Sequence, residues 1–339
     1  MTASFTLSAF GDEIASDLDE QLKLLSELNV PNLDFRSAWG TNIKDLSDEQ
    51  VQRAKQELAA HNMHVACLGS PVGKSPIEDP IEKELANLER LAEIGRALDC
   101  TRVRIFSFYP PNREDTSTFD QYVDESIERL GKLSAIAARE GLTLVLENEK
   151  EVVGDTLARC EKLVKGVNSP NLRFAWDSAN FVQCGEQHVV DRGWPMVSDY
   201  VSYVHIKDAL LIDGSVVVAG AGDGQVPQLL RNLISDDYQG ILALEPHLMI
   251  AGHSGGFTGA DLMGKAVISL DECRPGVPHT FFKNMLVGKL AFRVLFDHGD
   301  LPDATEEAAQ GLGALLRELG EAQAWTPLPT RTRIPYLYP

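Results

Sequence analysis

Four residues with metal-binding side chains end short apolar runs in the second half of the chain. They are Glu147 in "LVLENEK", Asp177 in "FAWDSAN", His205 in "YVHIKDA" and Glu245 in "LALEPH". One imidazole and three carboxylates form a ligand set that suits Mn, Mg, Co, Fe or Zn, without the softness of thiolates. Three carboxylates in a confined space would repel and raise one another's pKa unless a cation offset them. If the fold brings these residues together, they predict a site for one divalent metal ion.

The elements that must position these residues are short buried strands. Eight apolar runs recur along the chain, each bounded by turn or polar residues, and they are too apolar for strands with one solvent-exposed face. The pattern predicts parallel strands at Phe5–Phe10, Leu33–Phe35, His64–Leu68, Arg102–Phe106, Leu142–Glu147, Leu172–Asp177, Tyr203–Lys207 and Ile241–Glu245.

Longer amphipathic segments separate these runs. Apolar residues such as Leu22, Leu25 and Leu28 recur at helical spacing, as expected for helices with one buried face. Ser47 with Gln50, three residues later, resembles a capping box at a helix start. The predicted helices are Asp19–Leu28, Asp48–His61, Ile81–Leu98, Phe119–Glu140, Thr156–Val167, Glu186–Tyr200 and Val226–Ile234.

The alternation of strands and helices predicts an α/β fold of the (β/α)8 TIM-barrel type. An open doubly wound sheet is the alternative, and it should carry a glycine-rich turn after the first strand. The segment Phe10–Glu13, "FGDE", is not such a turn. In a barrel, the C-terminal ends of the strands form the active-site face. Because the fifth to eighth predicted strands each end in one candidate ligand, we expect these four side chains to converge.

The bulk composition excludes several classes of function. With 339 residues, 44% hydrophobic and 24% charged, the chain is typical of soluble globular proteins. Its formal net charge of −19 argues against nucleic acid or an anionic membrane as the main partner, because both would be repelled. The five cysteines are scattered and form no CxxC pair, which indicates a reduced, cytoplasmic protein without a sulfur metal site. We expect neither secretion nor membrane insertion, since no apolar stretch approaches about 18 residues.

The regular alternation ends near residue 250. A long loop follows the eighth strand; its first part is Ala251–Val267, and we expect a helical stretch inside it. Loops of such length are often functional. We expect the eighth barrel helix at Phe281–Phe296 and one further helix at Glu306–Glu321. The predicted organisation is a single catalytic barrel domain over residues 1–303, followed by a C-terminal helix and extended arm over residues 304–339 that serves as an interface segment.

The chain resembles the sugar phosphate isomerase/epimerase-like barrels, also called xylose-isomerase-like, from about Phe5 to Gly252. The motifs "LENE", "WDSAN", "HIKDA" and "LEPH" occur in order on the fifth to eighth strands. The segments "FGDEI", "GSPVGK", "FSFY" and "NFVQCG" are similar to a sugar-active branch of the family. The resemblance implies that the four candidate residues bind one metal ion, usually Mn. It also implies that the two glutamates lie on opposite sides of a bound sugar and move protons next to a carbonyl.

Two departures from related enzymes narrow this expectation. Endonuclease IV-type repair enzymes carry further histidines for three zinc ions, whereas this chain has Gly69–Ser70 and Ser107–Phe108 at the ends of strands three and four, and Asn180 three residues after Asp177. Ketose 3-epimerases tend to have a histidine at the Asn180 position and an arginine near Leu211. A multi-zinc phosphodiesterase is therefore disfavoured, and simple epimerisation of a free ketohexose is not assured by these residues.

The predicted reaction is metal-assisted proton abstraction next to the carbonyl of a sugar or keto-sugar. Glu147 or Glu245 removes the proton, and the other glutamate or His247 returns one; His247 lies two residues beyond Glu245, on the same face of the strand. Candidate substrate-binding residues are Tyr109, Asn180, Gln183, Lys207 and Asp208.

Three alternatives remain open at this stage. Reprotonation would make the enzyme an isomerase or epimerase. Expulsion of a β-substituent would make it a lyase, such as the α subunit of a C-glycoside deglycosidase, which belongs to the same superfamily and works with a small β subunit. A non-catalytic sugar-binding barrel is the non-enzyme alternative. A nicotinamide-dependent enzyme is disfavoured, because the chain lacks the glycine-rich fingerprint.

The C-terminal arm predicts a partner chain, either in a homo-oligomer or in a hetero-oligomer with a small second subunit. Trp325, Ile334 and Tyr336 are costly to leave in water, at roughly 25 cal/mol per Å² of apolar surface. Deletion of Trp325–Pro339 should therefore reduce the molar mass of the assembly in light scattering, with the metal still bound. An assembly of unchanged mass would mean that the arm packs on its own barrel.

Overall fold

The computed structural model describes residues 4–248 and 259–273. Within them, eight parallel strands form a closed barrel in which each strand pairs with its neighbours in chain order, and the last strand pairs with the first. The predicted TIM-barrel fold is confirmed. The strands are β1 (Ser4–Phe10), β2 (Asn32–Phe35), β3 (His64–Leu68), β4 (Arg102–Ile105), β5 (Thr143–Glu147), β6 (Leu172–Asp177), β7 (Val201–Ile206) and β8 (Gln239–Leu244).

Helices follow the strands and cover the barrel. Their apolar faces are buried, as the helical spacing of leucines predicts. None of the helices in the described part of the chain is long and apolar enough to span a membrane. The helices are α1 (Leu18–Glu27), α2 (Asp48–Ala60), α3 (Glu82–Leu98), α4 (Val123–Glu140), α5 (Leu157–Val167), α6 (Ser178–Gln183), α7 (Val189–Val197), α8 (Val226–Ser235) and α9 (Gly259–Glu272).

Local sequence signals explain where several helices begin. The capping box predicted at α2 is present: the Ser47 hydroxyl accepts from the Gln50 N–H, and the Gln50 side chain accepts from the Ser47 N–H. Asp17 and Thr156 cap α1 and α5 in the same way, each accepting a hydrogen bond from the first turn. Such caps pair N–H groups that have no partner inside the helix, so they fix the points where loops turn into helices.

Two of the predicted helical segments differ from the structure, and a third agrees with it. The segment expected to be helical from Phe119 starts as a 3-10 helix at Thr116–Tyr122 before α4. The helix expected at Glu186–Tyr200 is shorter, since α7 ends at Val197 and a 3-10 turn follows. The helical stretch expected in the loop after strand eight is a 14-residue helix, α9. The helices predicted at Phe281–Phe296 and Glu306–Glu321, and the C-terminal arm, lie outside the described residues.

The inside of the barrel combines an apolar layer with a buried polar network. Phe10, Val145 and Ala243 belong to the apolar cluster between the strands. Beside them, the Asp34 carboxylate accepts hydrogen bonds from the Tyr203 hydroxyl at 2.7 Å and from the Ser8 hydroxyl. The Tyr203 side chain also belongs to the apolar cluster, so these polar groups are satisfied inside the core.

Two glycines offer a matched test of how tightly the barrel's loops are packed. Both Gly73 and Gly40 have left-handed backbone angles, with φ of +83° and +73°, but a Cβ at Gly73 would overlap the Phe106 carbonyl, whereas one at Gly40 meets nothing within 4 Å. We expect Gly40→Ala to lower the free energy of unfolding by about 1 kcal/mol from backbone strain alone. Gly73→Ala should cost about 3 kcal/mol, because strain and overlap add. Urea denaturation measures both; equal losses would contradict the close packing at Gly73.

Candidate metal centre

The four predicted ligands lie together at the C-terminal ends of the last four strands. Glu147 and Asp177 are the last residues of β5 and β6, His205 lies in β7, and Glu245 directly follows β8. All four are buried, and one nitrogen or oxygen atom from each lies within 4.8 Å of the others. The convergence follows from barrel geometry, because side chains at equivalent strand positions point to a common centre.

The four residues of this cluster lie close to one another, and each has a potential ligand atom without a hydrogen bond. His205 Nδ1 lies 3.0 Å from Glu147 Oε1, 3.3 Å from Glu245 Oε2 and 3.9 Å from Asp177 Oδ2. One atom of each residue is buried and has no hydrogen-bond partner: Glu147 Oε2, Asp177 Oδ2, His205 Nε2 and Glu245 Oε2. Buried polar atoms are rarely left in this state. Lone pairs of this kind, concentrated on an imidazole and three carboxylates, fit a divalent ion.

Two arginines that sequence reasoning missed, buried Arg104 and partly buried Arg36, contact the glutamates of this cluster. Arg104 Nη1 lies 3.2 Å from Glu147 Oε2 and 3.3 Å from Glu245 Oε1. Arg36 Nη1 lies 2.8 Å from Glu245 Oε1. The signal for Arg104 was its place inside the apolar strand "RVRIF", and the signal for Arg36 was its place directly after "LDF". An arginine is rarely buried in such runs without a charged partner.

Lys207 is a third cation in the cluster. Its Nζ lies 2.9 Å from Asp177 Oδ2 and 3.5 Å from Glu245 Oε2, and its side chain is buried. Burial alone would lower the pKa of Lys207, but the carboxylates of Asp177 and Glu245 raise it. The same balance holds at the imidazole: burial favours neutral His205, whereas Glu147 and Glu245 raise the pKa of His205 to about 10. The carboxylates of the cluster therefore favour the cationic forms of both Lys207 and His205.

Two asparagines hold the ligand carboxylates in place. The Asn180 amide donates to Glu147 Oε1 at 3.2 Å and to the Asn148 carbonyl at 2.8 Å. The Asn148 side chain makes two hydrogen bonds with the backbone of Asp177. Asp177 Oδ1 accepts from the Asn180 N–H and so caps α6. Asn180, in the "WDSAN" motif, thus orients the Glu147 carboxylate. Its direct contact with substrate stays a prediction.

His247 and Glu13 form a pair at the edge of the cluster. His247 Nε2 lies 3.4 Å from both Glu13 Oε1 and Glu245 Oε1, and the His247 N–H donates to Glu13 Oε2 at 2.8 Å. His247 has a left-handed backbone, with φ of +50°, which is uncommon for a residue with a side chain. Burial raises the pKa of Glu13 to about 7, although nearby His247 opposes the shift. The motif "FGDEI" was noted, but Glu13 itself was not predicted as a site residue.

The remaining predicted substrate residues, Gln183, Tyr109 and Asp208, contact other groups of the protein. Gln183 donates to the Gly214 carbonyl at 2.8 Å and accepts from Lys150. Tyr109 is half-buried, and the Arg113 guanidinium stacks on its ring at 4.7 Å. Asp208 is buried, and backbone N–H groups use both of its oxygens. Substrate contact by these side chains stays a prediction.

The chain matches the model of a known protein family. The family model described as "Xylose isomerase-like TIM barrel" matches residues 25–261. No curated protein sequence matches the chain significantly.

Several solved structures share the fold at low sequence identity. A probable 3-DHS dehydratase involved in petrobactin synthesis from Bacillus anthracis has a TM-score of 0.62 at 16% identity, covering 79% of this chain and 98% of that one. D-psicose 3-epimerase with D-tagatose from Clostridium cellulolyticum H10 has a TM-score of 0.62 at 14% identity, with 79% and 98% coverage. A xylose isomerase-like TIM barrel protein from Mycobacterium smegmatis in complex with magnesium has a TM-score of 0.57 at 18% identity, with 79% and 100% coverage. At these identities the likeness shows the fold alone.

The cluster predicts one divalent ion per chain. Elemental analysis of purified protein should find one equivalent of Mn, or of Mg, Co, Zn or Fe, and His205→Ala should remove most of it because one of four ligands is lost. Chelation should abolish activity but leave the circular dichroism of the barrel nearly unchanged, since the apolar core does not include the cluster. Wild-type protein without any divalent metal after metal supplementation would contradict this assignment.

Proposed function

The chain belongs to the xylose isomerase-like TIM barrel family, and we propose that it is a divalent-metal-dependent enzyme that removes a proton next to the carbonyl of a sugar or keto-sugar. The observation that carries the proposal is the buried cluster of Glu147, Asp177, His205 and Glu245, in which one potential ligand atom from each residue lies within 4.8 Å of the others. A divalent ion held there, most simply Mn, would polarise the substrate carbonyl and stabilise the negative charge that develops on its oxygen.

Two glutamates in this cluster are placed to carry protons. Glu147 is fixed by Asn180, and Glu245 is fixed by Arg36, so neither carboxylate has to reorganise when a substrate binds. Either can remove the proton, and its partner on the other strand can return one on the opposite face of the sugar. His247, 3.4 Å from Glu245, provides a third proton carrier at the edge of the site.

The buried cations support binding of polar oxygens close to the glutamates. The Lys207 ammonium has three donors and lies against Asp177 and Glu245, where it can also donate to a substrate oxygen. Arg104 lies between the two glutamates and holds their separation. Because these groups are buried, the hydrogen bonds that they make with a substrate are stronger than in water.

The same first step serves a second outcome, in which the carbanion expels a β-substituent and the enzyme is a lyase. The observation that favours it is at Asn180, whose amide is committed to Glu147 and the Asn148 carbonyl. Ketose 3-epimerases tend to have a histidine there, so this chain departs from their pattern at a residue that contacts Glu147. A C-glycoside deglycosidase α subunit acting on a 3-oxo-sugar with a small second subunit is therefore the alternative. A sugar-binding barrel without catalysis is the least favoured one.

Deuterium exchange tests the common first step. The metal-loaded full chain is incubated in D2O with D-fructose, D-tagatose, D-psicose or a 3-oxo-glucoside, and NMR follows deuterium at the carbon next to the carbonyl. We expect incorporation with at least one probe, and a loss of about 100-fold or more in Glu147→Gln and Glu245→Gln, since general acid–base catalysis contributes about that much.

Glu151→Gln is the matched control, because Glu151 is half-exposed and pairs with Arg113 only four residues beyond Glu147. It should exchange at the wild-type rate. A released second fragment would identify the lyase outcome, and a changed sugar configuration the epimerase outcome. Turnover with no deuterium incorporation would point to hydride shift or internal proton return and would contradict exchange with solvent. Sugar binding without exchange or turnover would support the non-catalytic barrel.

A further inference from the structure

The glycine-rich segment after β7 wraps around one buried carboxylate, that of Asp208. Oδ1 accepts hydrogen bonds from the N–H groups of Ala209 at 2.9 Å and Gly224 at 2.8 Å, and Oδ2 accepts from Gly220 at 2.9 Å and Gly222 at 3.1 Å. Two donors at each oxygen use all four lone-pair sites, which only the ionised form of a carboxyl group offers. The carboxylate is therefore held entirely by backbone.

The Asp208 carboxylate lies so close to this segment that side chains at its glycine positions would not fit. A Cβ at Gly222 would overlap Asp208 Oδ1, and a Cβ at Gly224 would lie 2.6 Å from the same oxygen. Gly220 has φ of +82°, a backbone angle that side chains disfavour. Successive N–H groups that point into one concave space form a nest, which binds anions such as phosphate in other proteins.

The nest lies in the loop after β7, where other TIM barrels bind a phosphate group. In many TIM barrels, the loops after strands seven and eight form the binding site for a substrate phosphate. The segment Gly220–Gly224 follows β7, and Asp208 lies three residues beyond His205 and next to Lys207. We propose that Asp208 permanently fills this backbone nest in the place of a substrate phosphate, so that the site takes an unphosphorylated sugar. The substrate class rests on the proposed function above; the filled nest does not.

The filled nest also fixes one wall of the candidate site. Asp208–Ala209 pairs with Val216–Val217 as a short hairpin. Gln183, the last residue of α6, donates to the Gly214 carbonyl at the hairpin turn, and α6 itself starts directly after Asp177. Asp208 is thus a positioning residue, which acts on the site through the loop that it holds.

Glycine amides report on the nest without any need for turnover. The magnesium-loaded full chain is labelled with [15N]glycine, and the signals of Gly220, Gly222 and Gly224 are followed by NMR. In Asp208→Ala we expect these amides to exchange with solvent at least about tenfold faster than in wild type. Addition of acetate or inorganic phosphate should shift their signals and slow the exchange. Wild-type amides should respond to neither anion, since the nest is filled.

Two further variants keep the test decisive. Asp208→Asn keeps the side-chain volume but replaces one acceptor oxygen by an NH2 group, so two of the four N–H groups lose their partner. This variant serves the test if Asp208→Ala does not fold. Asp213→Asn is the matched control, because Asp213 lies on the exposed turn of the same loop, where it accepts a hydrogen bond from the Ser215 N–H. It should leave the three glycine amides unchanged. Phosphate-induced shifts in wild type, or glycine amides at wild-type exchange rates in Asp208→Asn, would overturn the filled nest.

Substrate pairs test the functional half separately. With D-fructose against D-fructose 6-phosphate, and D-tagatose against D-tagatose 6-phosphate, the phosphorylated sugars should be exchanged or turned over at least about tenfold less efficiently. Asp208→Asn should raise KM more than it lowers kcat, because the wall is displaced while the glutamates stay in place. Preference for a sugar phosphate would overturn the substrate class and leave the proposed chemistry intact. A filled nest without activity on any probe would refute the proposed function alone.

Discussion

The mutual repulsion of buried carboxylates is the constraint around which the site is arranged. Glu147, Asp177 and Glu245 lie within a few ångströms of one another, out of water, where an uncompensated charge costs several kcal/mol. Each therefore gives one oxygen to a fixed partner: His205 and Asn180 at Glu147, the Asn180 N–H at Asp177, and Arg36 at Glu245. The other oxygens contact further cations: Glu147 Oε2 lies 3.2 Å from Arg104, and Asp177 Oδ2 and Glu245 Oε2 lie 2.9 and 3.5 Å from Lys207. The protein thus offsets the repulsion of its carboxylates with its own cations.

This division of the carboxylates explains which parts of the site the sequence could predict. The four candidate ligands are local signals, because an acid or a histidine at the end of an apolar run marks a strand end, and the barrel brings the strand ends together. The cations are different. Arg36 and Glu245 are separated by 209 positions, and Arg104 and Glu245 by 141, so a single sequence carries no trace of these pairs. Their only signal is an arginine in or next to an apolar run.

Other differences between prediction and structure arise where one side chain has a structural role that the sequence analysis did not predict. Asp177 was predicted as a ligand only, but its Oδ1 also caps α6, a helix that the sequence analysis did not predict. Asp208 follows the "HIK" segment, and its contact with substrate stays a prediction; its oxygens also accept from the Ala209 N–H and from glycine amides more than ten residues away. In both cases the residue type was informative. The partner was a backbone group, which no side-chain pattern reveals.

The closure of the barrel and the assembly of the site depend on the same contacts. Arg36 after β2 binds Asp12 after β1 and Glu245 after β8, and the His247 N–H binds Glu13. These bonds join the first two strands to the last one at the active-site end of the barrel, where β1 and β8 pair. Loop closure over so many residues is entropically costly and is offset only when the pairing is complete. The Glu245 carboxylate therefore reaches its final position only when the first and last strands have met, so the geometry of the candidate metal site is a property of the closed barrel and not of any single β/α unit.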